Sequence, residues 1–165
     1  MLNLLATPAA GQDLEIAPNV DPLEMVTDRF VMAAKSVVLG TTNRRPDQWE
    51  RGRILMELAQ QLNPDDPEIW RLRTELSAQI GDKSAHIELL QRYCKLVPSD
   101  DAAQLELIMA KVAQHQVLEE RMRLVRAILA HSGAKHLTKP LRSRLASYVA
   151  QAAGELNDDE LFRQY

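Results

Sequence analysis

One cysteine among 165 residues leaves no internal disulfide to form, so the disulfide-stapled miniprotein class is excluded. Cys94 stands beside Leu90, Tyr93 and Leu96 and reads as a small core residue; a single thiol does not fix the redox compartment. Aromatic residues are also scarce, with two Phe, two Trp and three Tyr, and six Gly in no periodic arrangement exclude a collagen-like chain. No apolar run approaches the roughly 18 residues that cross a bilayer, so a soluble chain without membrane insertion is expected. What is abundant is Leu, Ala, Glu, Arg and Gln. Unbranched side chains lose little rotamer freedom in a helix, and this composition therefore predicts an all-α protein.

Basic residues are missing from one end. Residues 1–28 hold five acids and no Lys or Arg, while the remaining 137 residues set 20 Lys and Arg against 18 Asp and Glu. So even a balance gives no broad cationic surface and speaks against a dedicated nucleic-acid protein. Residues 1–20 read as a flexible N-terminal segment. Its first ten residues are mostly apolar, with small residues before Gly11, which resembles the end of a secretory signal peptide but lacks the basic n-region. The cytoplasm is the expected compartment, with export the alternative if residues 1–10 are the end of such a signal.

Proline, glycine and aspartate punctuate the rest into helices. Asp21-Pro22 opens the first; Leu23, Val26, Phe30, Ala34 and Val37 fall on one predicted face, and Gly40 closes it. A polar turn over Thr41–Arg45 leads to Pro46-Asp47 and a second helix with Trp49, Gly52, Met56, Ala59 and Leu62 on one stripe. Pro64 and Pro67 separate this from a third helix over 67–80, which stops at Gly81; a fourth runs from about Ser84 to Leu96 before Pro98. A fifth covers roughly 102–114, a sixth 118–130 before Ser132-Gly133, and a seventh runs from Thr138-Lys139-Pro140 to Gly154. Asn157-Asp158-Asp159 caps a short eighth, whose Leu161 and Phe162 are expected on the Leu145/Val149 face.

Pro64 and Pro98 lie 34 residues apart, each closing an apolar helix at the same point of a two-helix unit. Within 67–100, Trp70 takes the fourth place, Gly81-Asp82 the fifteenth and sixteenth, Ile87 the twenty-first, Leu96 the thirtieth and Pro98 the thirty-second. This unit resembles the tetratricopeptide-repeat family, and the flanking hairpins resemble it in outline. It departs at Arg73, Thr74 and His86, where the family has Leu and two small residues. The resemblance implies a right-handed α-solenoid of antiparallel hairpins over 21–165, about three and a half units long and truncated at its C-terminus. It further implies a groove lined by the first helix of each unit. In the matched unit the groove positions are Glu68, Arg71, Glu75, Ala78 and Gln79; in the next they are Ala102, Leu105, Met109, Val112 and Ala113. Leu105, Met109 and Val112 also read as core between helices, the reading favoured slightly over groove exposure. The Lys and Asn that clamp a C-terminal carboxylate in some relatives are absent from these positions.

No catalytic or metal site stands out. The four histidines lack HExxH or CxxC spacing, no phosphate-binding glycine motif occurs, and the pairs Asp65/Asp66, Asp100/Asp101 and Asp158/Asp159 sit at helix starts, where caps are needed. The expected role is a non-catalytic scaffold that binds a protein or peptide without a cofactor. The alternatives are a nucleic-acid-binding helical repeat using Arg44, Arg45, Arg51 and Arg53 or Arg121, Arg123 and Arg126, and an accessory domain of an enzyme.

Overall fold

The computed structural model describes residues 21–39, 46–131 and 135–165. Eight α-helices and no strand occur among them: α1 (Pro22–Leu39), α2 (Pro46–Leu62), α3 (Pro67–Ile80), α4 (Lys83–Leu96), α5 (Asp101–Val112), α6 (Leu118–Ala130), α7 (Lys139–Glu155) and α8 (Asp159–Gln164). The expectations for residues 1–20, for Gly40 and the Thr41–Arg45 turn, and for Ser132-Gly133 lie outside the described residues.

The starts of α3, α4, α5, α7 and α8 are set by side chains that replace missing intrahelical partners. Asp66 accepts from Glu68 N at 2.8 Å, Asp82 from Ala85 N at 3.0 Å, Asp100 from Ala103 N at 2.9 Å and Asp158 from Leu161 N at 3.0 Å. Thr138 serves α7 in the same way, at 3.3 Å from Leu141 N. One member of each carboxylate pair, Asp66, Asp100 and Asp158, is thus a capping group, while Asp101 accepts from Thr138 and Asp65 pairs with Arg92. Gly81 ends α3 at φ 83°, a left-handed conformation that a side chain disfavours, and its N–H returns to Ser77 O at 3.0 Å.

The core is a series of clusters rather than one centre. Val31 and Ala34 of α1 meet Met56 and Ala59 of α2 and Ile69 and Leu72 of α3. Leu90 and Tyr93 of α4 meet Ala103 of α5, with Trp70 of α3 and Leu107 of α5 against them. Val112 of α5 joins α6, α7 and α8 in the third cluster, whose centre is Val125, Leu145 and Val149. Helices α3 and α5 each belong to two clusters and couple them. Helices also pack on their second neighbours, α1 on α3 and α5 on α7.

Two apolar faces differ from the sequence reading. On α1, Leu23 and Val26 are exposed, 51% and 43%, and the buried strip is Thr27, Val31 and Ala34. Thr27 can occupy a buried place because its hydroxyl donates to Leu23 O at 2.8 Å. At the other end Leu161 is buried in the Leu145/Val149 cluster as expected, whereas Phe162 is 54% exposed, its ring lying along Gly154.

Candidate functional site

Side-chain bridges tie alternate helices together. Lys35 of α1 donates to Glu68 of α3, Arg71 of α3 donates to Glu106 of α5 at 3.0 Å, and Thr138, capping α7, donates to Asp101 of α5. The partners lie 33, 35 and 37 residues apart, close to one two-helix unit each time. Three of the predicted groove residues are engaged here: Glu68 holds Lys35, and Arg71 bonds Glu75 at 3.2 Å as well as Glu106. Arg71 also lies 5.8 Å from the Tyr93 ring centroid, a cation–π distance. These side chains join helices before they can meet a ligand.

Glu106 is the centre of this joint. One carboxylate oxygen takes Arg71, and the other faces His86 Nε2 at 3.3 Å. The Nδ1 of His86 is 3.1 Å from Thr74 O, and Thr74 is fully buried with its hydroxyl donating to Trp70 O at 2.9 Å. Thr74 and His86 are two of the places where the unit departs from small residues. A hydrogen bond stands there in place of close apolar packing, and His86 reaches a third helix. The joint was missed from sequence, although those departures were its signal.

Arg71→Ala is expected to lower stability by about 1 kcal/mol, because Arg71 is a third exposed and solvent screens its pairs. A double-mutant cycle with Glu106→Gln measures the coupling; additive losses would show that the bridge contributes nothing.

Tyr93 donates to Asp100 at 2.8 Å, and together with the Ala103 N–H, the larger cause, this holds the Asp100 carboxyl below its ordinary 3.8. A carboxyl depressed on folding adds stability that is present above its unfolded value and disappears as pH falls through the folded value. The difference in Tm between wild type and Asp100→Asn is therefore expected to be constant near pH 7 and to shrink below about pH 4. A difference unchanged down to about pH 2.5 would contradict the assignment. Burial pushes the Cys94 thiol up, which suits packing and disfavours a thiolate.

The open surface lies farther along. Leu105 and Met109 of α5 are half-buried and line a depression of about 520 Å³ with Pro140, Ser143, Arg144, Ser147 and Tyr148 of α7. Val112 is not part of it. At 1% exposure it packs into the third cluster, because the last turn of α5 meets α6 and α7 there, so its expected place in the groove is corrected. Gln79 is exposed near the end of α3, away from this depression. Ala78 and Ala113 line a different hollow, about 830 Å³, between the α3–α4 turn and the end of α5, with His86 and Ile87 in its wall. Ser143 and Ser147 follow by counting 34 residues on from Met109 and Ala113; Arg144 and Tyr148 have no such signal.

This arrangement can hold apolar side chains between α5 and α7 with a guanidinium at the rim. Among the described residues no group of three or more His, Cys, Asp or Glu could hold a metal ion, and no helix is long and apolar enough to cross a membrane. Neither a protein-family model, nor a curated protein, nor a solved structure matches the chain.

Proposed function

We propose that the chain is a non-catalytic, tetratricopeptide-like scaffold, a right-handed solenoid of about three and a half hairpins, whose α3–α5–α7 side binds a peptide segment of a partner protein. The ladder of bridges between alternate helices, with partners close to 34 residues apart, carries this reading. A ladder of that period is what translated copies of one two-helix unit produce, and it leaves the α5–α7 depression beside it. The half-buried Leu105, Met109 and Tyr148 supply apolar contact, and the polar rim orients what enters.

The test is selection of peptides from a random display library on the full chain, followed by titration of the selected peptides against Met109→Ser. Peptides with shared apolar anchors are expected, and the substitution is expected to weaken them about tenfold. Peptides that bind the variant as well as the wild type would remove this groove as the site.

A further inference from the structure

Residues 121–154 contain seven Lys and Arg and no Asp or Glu. They include most of α6 and of α7, and Arg123, Arg126, Lys135, Lys139, Arg142 and Arg144 are all exposed. The ion pairs among the described residues join side chains of α1–α5 and their connections, apart from His115 with Glu120. The chain thus neutralises much of its charge internally over the first five helices and leaves a cationic face on the last third. The net charge of −3 conceals this face, because the acids that outweigh it lie elsewhere.

Three of these cations border the open surface. Arg144 lines the α5–α7 depression beside Leu105, Met109 and Tyr148. Lys139 and Arg142 line a second depression, about 460 Å³, with Leu129, Ala130, Ala146 and Tyr165. Ser143 borders both, so the first turns of α7 form a basic ridge with an apolar trough on each side.

We infer that the partner segment is acidic: a peptide whose apolar side chains enter the troughs while its carboxylates meet Arg142 and Arg144. This rests on the peptide-binding reading above and names the chemistry its site selects. Exposed, uncompensated cations around an apolar floor complement alternating carboxylate and apolar groups. A phosphodiester chain fits less well. Its bases stack on aromatic faces, and each trough offers one tyrosine among aliphatic residues, while the exposed acids Glu119, Glu120, Asp158, Asp159 and Glu160 flank the basic stretch in the chain and oppose a polyanion.

The test is fluorescence anisotropy with the full chain and three labelled probes: an amphipathic Glu/Leu peptide of about 20 residues, its Gln/Leu counterpart, and an oligouridylate. The Glu/Leu peptide is expected to bind about tenfold tighter than the Gln/Leu peptide, and to lose that advantage as salt rises from about 50 to about 300 mM. Arg142→Gln/Arg144→Gln abolishes the difference, while Arg142→Lys/Arg144→Lys keeps most of it because charge rather than shape is recognised. Met109→Ser weakens both peptides and reports the trough separately. Equal binding of the two peptides would overturn the acidic preference and leave the groove reading intact. Binding of neither peptide would overturn both, and tighter binding of the oligouridylate would assign the face to nucleic acid.

Discussion

Leu145→Ala is expected to lower the free energy of unfolding by about 3 to 4 kcal/mol. Leu145 is fully buried in the cluster that α5, α6, α7 and α8 build together, with Val125 and Val149 among the residues at its centre. Removing its branched end costs the transfer free energy of the lost carbons and leaves a void that four helices cannot all close at once. Urea unfolding followed by circular dichroism measures this. A loss under about 1 kcal/mol would mean that α7 repacks freely and that the cluster is not a tight one.

Gly52→Leu is the second large effect, through the opposite mechanism. Gly52 is buried in the middle of α2, where a Cβ would stand 3.3 Å from Val37 Cγ1 and 3.7 Å from both Leu76 methyl groups. Helices α1, α2 and α3 converge at that point. A single methyl can be accommodated by a small shift of Val37 and gains helix propensity, so Gly52→Ala is expected near neutral. An isobutyl group cannot, and about 2 to 3 kcal/mol is expected to be lost as α1 and α3 are pushed from α2. Thermal unfolding of both variants checks the pair. Tolerance of leucine would show that these helices are not packed through Gly52.

The helices were legible because their ends are chemically marked. Pro67 with Gly81 bounds α3, and Leu118–Ala130 is the sixth helix in the sequence reading and in the structure alike. Local rules govern such ends: a fixed proline φ, a left-handed glycine, an aspartate within reach of free N–H groups. Faces were less legible. On α1 the choice between the strip through Val26 and the strip through Val31 depends on where α2 and α3 lie, and Thr27 is buried only because its hydroxyl finds a carbonyl in its own helix. Val112 shares a stripe with Leu105 and Met109, yet the three part ways because α6 and α7 meet α5 at one end. The Arg71–Glu106–His86 joint draws on α3, α4 and α5, and no local pattern joins those residues. The cationic stretch was missed for another reason: three arginines of α6 were noted, but the absence of acids from 121 to 154 shows only when the two helices are read together.

The central claim is that stability arises locally, each cluster shared by neighbouring helices, so that the α5–α7 side stays open instead of closing over one centre. Amide hydrogen exchange by mass spectrometry, comparing wild type with Leu145→Ala, tests it most directly. Faster exchange confined to α6, α7, α8 and the last turn of α5, with α1 to α3 unchanged, is the predicted result. A uniform rise across all eight helices would contradict it, because that is the behaviour of a single closed bundle.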